Sequence, residues 1–425
     1  MAEVEPLSVV RLLGTDILYA PGVRAGNWIF LTGHEAFDFE KGVPAEVAGP
    51  VNFPLWGLPR HRREGDFILR RFRDMLAPFG ASLATAVRLD QYYPTPEAVD
   101  PYHLSRRAYF GDYIPPSTSV VMDRCLGERM SMNVSLLAVL PREDWRIEKV
   151  YPADVEAPSW SGFVPAITCN DYVFVAGQMA SGGDRALDPE AHVPDYARWG
   201  GSEIRKQTEY LITRKLEPAL KTAGSSLPLS LKAQVYIEGL EHFPDFIDVW
   251  NKYFAKSPCA LTVVPTRSFA TVGGIIEINL LALKGDARTK KEIIEAGLPA
   301  MAAYGPAAVR AGDLLLLSGL MPIDANGSVP GQSLGEDFTA LRPRAYRQMR
   351  HLLEMAEETC RAAGTSLRNV LRAHQFHRDL GDLGATQHAW QEHCPGLPIP
   401  FAAVGIPAPL PVTEADLILD LWVHI

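Results

Sequence analysis

Two side chains in the middle of the chain are of the types needed to hold and transform a small anion. Arg267 stands in Pro265-Thr266-Arg267-Ser268, and Glu277 follows in Ile276-Glu277-Ile278. A guanidinium is a planar fork that grips a carboxylate through two parallel charge-assisted hydrogen bonds, a geometry a lysine does not reproduce. A carboxylate within an apolar strand loses its hydration, so Glu277 must have either a partner or a function. On residue type alone, a structural ion pair explains Arg267 as well as a ligand does, and a structural partner explains Glu277 equally well. Other chemistry-bearing residues point elsewhere. His374 and His377 read as HxxH, but on a strand residues three apart face opposite ways, so joint metal binding is not expected. There is no GxSxG nucleophile elbow. Cys259 and Cys394, near the same segments, are read as small core residues.

The elements that must position these residues recur three times. A strand-like run ending in a small residue and glycine appears as NWIFLTGHEA, DYVFVAGQMA and DLLLLSGLMP, with Gly33, Gly177 and Gly319 spaced 144 and 142 residues apart. An amphipathic helix, a Gly-Ser/Thr turn and a second strand follow each time, and Gly80, Gly224 and Gly364 mark the helix ends at spacings of 144 and 140. Two independent landmarks with one period establish a tandem repeat. Each unit reads as hairpin, helix, strand, aromatic-bearing helix, two strands. In the helix before Gly364, Met349, Leu352, Leu353, Ala356 and Ala363 form a stripe at helical spacing that should pack on one face of a mixed sheet. The last strands are apolar on both faces, so the opposite sheet face also needs cover, which three units in one chain can supply to each other. The expected domains are 1–146, 159–286 and 300–425, joined by polar, proline-bearing linkers around 146–158 and 287–299.

Composition narrows the partners. With 47% hydrophobic and 21% charged residues, the 425-residue chain reads as a soluble globular protein. A net charge of −9 argues against a polyphosphate-collecting surface, so nucleic acid is not the expected partner. Five scattered cysteines without CxxC spacing suggest reduced thiols and a cytoplasmic location. No export signal or membrane span is read.

The repeat and its motifs resemble the RidA (YjgF/YER057c/UK114) family, whose members are usually single domains forming homotrimers. Its Ser-Gly-Gln hairpin end is matched by Ala176-Gly177-Gln178, and more loosely by Thr32-Gly33-His34 and Ser318-Gly319-Leu320. Its Pro-x-Arg-Ser/Thr stretch and Ile-Glu-Ile strand are matched in the middle repeat by the segments holding Arg267 and Glu277. The resemblance implies an α/β (α+β) fold of three tandem RidA-like, chorismate-mutase-like domains, each a mixed sheet with two helices on one face, packed as an intramolecular pseudo-trimer. It also implies ligand clefts between neighbouring domains. In this alignment the family arginine falls on Ser117 and Pro400 in the outer repeats. The family glutamate falls on Asn133 in the first repeat and on Asp416 or Asp420 in the third.

The resemblance thus implies Glu277 and Arg267 as catalytic residues, with Arg267, Gly177, Phe163, Tyr19, Thr32 and Ser318 binding substrate. Tyr19/Thr32 or Tyr304/Ser318 would complete one composite cleft from a neighbouring domain. No metal or organic cofactor is expected, because a protonated imine is already electrophilic. The expected function is hydrolysis of a small carboxylate-bearing imine, enamine or related C–N substrate. A remodelled pathway enzyme (ring opening, or hydrolysis of an unstable intermediate) and a non-catalytic metabolite-binding protein are the alternatives; RNA cleavage ranks last. The expected partner is the small-molecule carboxylate substrate, with no nucleic acid and no membrane, in a monomeric pseudo-trimer or a homodimer of it.

Overall fold

The computed structural model describes residues 3–425 except 13, 51–52, 54–55, 154, 156–160, 183–184, 195, 197–200, 300–302 and 331–341. Its framework is three six-stranded mixed sheets, one per repeat. In the first, the strand order is Glu5–Leu7, Gly22–Ala25, Trp28–His34, Asn133–Val139, Ala86–Tyr93, Ser117–Val121. All neighbours are antiparallel except Ala86–Tyr93 with Ser117–Val121, which are parallel and joined through the helix Val99–Phe110. That connection is a βαβ unit, the usual way to bring two consecutive strands parallel. The second and third sheets repeat the order, ending in the parallel pairs Ser230–Glu238 with Ala260–Thr266 and Val370–His377 with Phe401–Gly405.

The long helices Arg60–Leu76 and Arg344–Ala362 lie against their sheets through apolar stripes, and Met349, Leu352, Leu353, Ala356 and Ala363 are all buried in the third core as their spacing predicts. Gly80, Gly224 and Gly364 each close a helix with φ of 67°, 71° and 79°, a left-handed turn that glycine adopts without a Cβ clash. The middle repeat departs from a plain helix. After Glu203–Tyr210 the chain makes a π-helical turn over Leu211–Leu216 before Glu217–Thr222. Pro218, just beyond, has no N–H to continue an α-helical ladder, and the wider turn absorbs that break.

The stretches read as linkers are partly sheet. Ile147–Val150 and Lys291–Ile294 pair with Ala166–Cys169 and Ala308–Ala311 and form the edges of the second and third sheets. Their alternation of charged and apolar residues suits an edge strand with one solvated face, and it reads as a polar join when only composition is weighed.

The inner sheet faces meet at a common centre. Arg88, Lys232 and Arg372 occupy one position in the three repeats and lie 1–5% exposed. Arg88 Nε donates to Asp90 Oδ1 at 2.8 Å and Arg88 Nη2 to Gln234 Oε1 at 3.0 Å. Arg372 bridges Asp90 (2.9 Å) and Asp420 (3.0 Å), and Lys232 Nζ lies 2.6 Å from Asp420. Below this layer Tyr92 Oη meets Tyr236 Oη at 2.9 Å. The partners come from the same strand, an adjacent strand or a neighbouring repeat, so the buried charges are hydrogen-bonded as burial requires. All five cysteines are unpaired and buried; burial pushes the Cys259 and Cys394 thiols up to about 12 and about 11, which fits their reading as core residues.

Candidate functional site

Register across the parallel and antiparallel pairs fixes which residues are equivalent. Leu89, Ala233 and Ala373 pair with Ser117, Leu261 and Phe401. Tyr92, Tyr236 and Phe376 pair with Asn133, Glu277 and Ile418. The place of Ser117 is therefore taken by Leu261 in the second repeat and Phe401 in the third, and the place of Glu277 by Ile418 rather than by Asp416 or Asp420. Arg267 lies six residues past Leu261, where the first repeat has Asp123. Those two pseudo-equivalent residues form a surface ion pair, Arg267 Nη2 donating to Asp123 Oδ2 at 3.1 Å with the arginine side chain 60% exposed. The structure does not bring Arg267 to Glu277. The proline motif misled because it matched a turn beyond the strand, whereas the hydrogen-bond ladder counts from the strand itself.

What does face Glu277 comes from the first domain. A cavity of ≈ 60 Å³ lies between the first and second domains. Phe163, Gly177, Gln178 and Glu277 line it from the second, and Arg106, Ser117 and Ser119 from the first. Of the expected substrate-binding residues, Phe163 and Gly177 are thus brought to Glu277. Gly177 sits in a bulge between Val175 and Gln178. A Cβ there would lie 1.9 Å from Glu277 Oε1, so the glycine is what makes room for the carboxyl. Glu277 is fully enclosed and accepts the backbone N–H of Ser119; burial, the larger effect, pushes it up to about 8. Near neutral pH it carries its proton.

Arg106 is fully buried. Its Nη1 donates to Gln91 Oε1 (3.1 Å) and Ser117 Oγ (3.0 Å), its Nη2 to the Ser161 carbonyl (2.7 Å), and its Nε has no hydrogen-bond partner among the described residues. None of these acceptors is charged, and no carboxylate among the described residues lies within ion-pair distance of it. A buried guanidinium without a counter-charge beside a cavity is an anion site in waiting. Burial and the neighbouring Arg106 also hold His103 well below the usual imidazole range, so it lines the cavity as a neutral group. Lys215, on the π-helical turn, lines the other side.

The motif reading missed Arg106, yet the sequence carried a signal for it. Val99, Tyr102, His103 and Arg106 fall on the i, i+3, i+4, i+7 stripe that the helix buries. At the same place the other repeats have Trp250 and Trp390, both buried, in the same cores as Leu261 and Phe401. An apolar pair in two repeats is thus replaced by Arg106 and Ser117 in the first.

At the other two junctions, side chains and backbone pack across the positions equivalent to Glu277 and Arg106. Between the second and third domains, Ser318 Oγ accepts Leu261 N–H (3.0 Å) and donates to the Pro306 carbonyl (2.7 Å), while Tyr304 packs on Phe243. Between the third and first, Tyr19 donates to the Thr32 carbonyl (2.7 Å) and lies 4.9 Å from the Phe401 ring. At Gly33 a Cβ would lie 2.3 Å from the Phe401 carbonyl oxygen. Tyr19, Thr32, Ser318 and Tyr304 therefore lie at junctions away from Glu277, and they are not brought together with Arg267. The expected HxxH pair is likewise separate: His374 lies by Tyr92 at the central axis, and His377 lies against Gln375.

The fold and cleft define a tandem-repeat α/β protein with a polar cavity between two of its domains. Residues 155–284 and 295–412, more than half of the chain, match the family model described as Endoribonuclease L-PSP, and the chain belongs to that family. The matched residues are the second and third repeats. The chain is 35% identical over 107 residues to the 3-aminoacrylate deaminase RutC of Acinetobacter baylyi, covering 25% of this chain and 76% of that protein. It is 30% identical over 120 residues to a RutC family protein of Pyrococcus abyssi, covering 28% and 84%. Similar solved structures include yeast Mmf1 (21% identity, TM-score 0.27, 33% of this chain and 99% of that one) and RidA from a Psychrobacter species (22%, 0.26, 32% and 99%). No described helix is long and apolar enough to cross a membrane.

Proposed function

We propose that this protein is a cofactor-independent deaminase of a small carboxylate-bearing enamine or imine, acting in the cavity between its first and second domains. The observation that carries the reading is Arg106, buried with no counter-charge among the described residues, beside a glutamic acid that burial raises to about 8. Arg106 anchors the substrate carboxylate in place of the arginine expected on the strand, and Ser117 and Gln91 hold its fork from behind. Glu277 delivers its proton to the enamine carbon, which turns the substrate into an iminium ion. Water then adds to the iminium carbon and returns a proton to Glu277, and the carbinolamine collapses with loss of ammonia. The small cavity suits a substrate of a few heavy atoms. A family relative that deaminates 3-aminoacrylate supports this class of substrate. The acidic net charge speaks against RNA as substrate.

The test is ammonia release from a carboxylate-bearing enamine generated in situ by an amino-acid dehydratase, with wild type, Arg106→Met, Glu277→Gln and Arg267→Ala compared. Loss in the first two variants with retention in Arg267→Ala is the expected pattern. Equal rates in wild type and Arg106→Met would overturn it. A binding protein without turnover would show stabilisation by small carboxylates and no ammonia above background.

A further inference from the structure

The long helix of each repeat is anchored near its start in the same way. Glu64, Gln207 and Gln348 accept the backbone N–H groups of Ser131 (2.8 Å), Ile275 (3.0 Å) and Asp416 (2.8 Å). From these anchors to Gly80, Gly224 and Gly364 the chain advances 16, 17 and 16 positions. The middle repeat thus carries one extra residue. Both ends of its helix keep their register because the π-helical turn Leu211–Leu216 takes that residue up, whereas the first and third helices run as unbroken α-helices. Bulges of this kind recur at functional sites.

The turn holds Lys215, nine positions before Gly224, where the first repeat has Arg71 and the third has Met355. Neither a guanidinium nor a thioether forms an imine, but a primary amine does. Lys215 is 3% exposed and shares the walls of the inter-domain cavity with Arg106 and Glu277. Its Nζ lies 5.8 Å from the centroid of the Tyr210 ring, and Tyr210 Oη donates to Asp188 Oδ2 at 2.9 Å, so the ring that borders the amine is itself held. Burial and a nearby cation are the settings in which a lysine amine serves as a nucleophile toward a carbonyl or iminium carbon. Lys215 has both, the cation being Arg106 in the same ≈ 60 Å³ cavity.

We propose that Lys215 is a catalytic nucleophile that carries the substrate carbon as a Schiff base, so that ammonia leaves before water arrives. This rests on the deamination reading for the iminium ion that proton transfer from Glu277 creates. The Nζ lone pair forms a bond to the iminium carbon, and a proton passes from Nζ to the substrate nitrogen. The bond from carbon to that nitrogen then breaks, ammonia departs, and a second iminium joins the carbon to Nζ. Water adds to this carbon; one of its protons goes to Nζ and the other to the Glu277 carboxylate. Cleavage of the carbon–Nζ bond gives an oxo acid and the free amine.

The test incubates the full chain with pyruvate, as the probe oxo acid, and cyanoborohydride, which reduces an imine to a stable secondary amine, and reads the product by intact mass and peptide mapping. Lys215 should gain the adduct about 100-fold faster than any other lysine, because the cavity holds both reactants together. Lys215→Arg and Lys215→Met should lose the adduct and lower ammonia release from the enamine by at least about tenfold. No adduct, an adduct spread evenly over the lysines, or a Lys215→Arg rate equal to wild type would overturn the proposal. Mapping on the wild type decides the matter if neither variant folds. Ammonia release without an adduct overturns the covalent step and leaves the deamination reading standing, whereas an adduct on Lys215 without ammonia release supports the nucleophile and sinks that reading.

Discussion

Replacing Glu277 by glutamine should make the protein more stable in alkali and inactive at every pH. The carboxyl is raised from an ordinary 4.5 to about 8 by burial, with the Ser119 N–H opposing only part of that rise. Below pH 4.5 it is protonated in both folded and unfolded chains and contributes no pH dependence. Between 4.5 and 8 the unfolded chain has lost the proton while the folded one retains it, so stability falls as pH rises, by about 1.4 kcal/mol per pH unit. Above 8 both states are ionised and the full cost stands, on the order of 5 kcal/mol. Glutamine keeps the shape and carries no charge. The stability difference between variant and wild type should therefore be near zero at pH 4.5, grow through neutrality and level off above pH 8. Glu35, which burial raises to about 7, slopes the same way in both proteins and cancels in the difference. Urea unfolding followed by tryptophan fluorescence from pH 4.5 to 9 reads this directly. Parallel midpoint-against-pH curves for the two proteins would refute the argument, because Glu277 would then ionise as it does in water. The wild-type rate should fall above pH 8 as the proton donor is lost.

Three further outcomes follow from the geometry. Arg106→Lys keeps the charge and loses the fork, and should lower kcat/KM for the enamine by about 100-fold (about 3 kcal/mol, in the range of a charge-assisted pair), whereas Arg267→Ala should leave both rate and melting temperature close to wild type, since an exposed pair contributes little. Gly177→Ala would push a methyl against Glu277 Oε1, and steady-state ammonia release should fall to background with a lowered melting temperature. Asp420→Asn removes the acid shared by Lys232 and Arg372 at the centre and should destabilise the chain by about 3–5 kcal/mol, read by calorimetry.

Much of the architecture was legible because it rests on period and pattern. Repeated glycines at helix ends and apolar stripes at helical spacing are local, and three copies reinforce one another. The edge strands Ile147–Val150 and Lys291–Ile294 were not legible, because an edge strand with a wet face has the composition of a linker. That Glu277 and Gly177 stand out was legible, since a carboxyl in an apolar strand and a glycine at a strand end are anomalies within short windows, and with Phe163 they line one cavity. Arg106 was hidden in a helix whose polar residues look like a solvated face until it is set beside Trp250 and Trp390. Its partner Glu277 is 171 residues away, and only the packing of two domains reveals that they share a space.

The buried charges at the centre also dictate how the three units can be arranged. The first contributes Arg88 and Asp90, the third Arg372 and Asp420, but the second brings Lys232 with Gln234 and Asn279 and no acid of its own on these paired positions. A ring built from three second units would confront three ammonium groups, while in the native chain that lysine borrows Asp420 from the third unit and Arg372 reaches back to Asp90 of the first. Severed into three polypeptides, the units would carry the instructions for one cyclic order and against self-association of the middle piece, so the covalent joins preserve a composition that separate genes would have to police by charge alone.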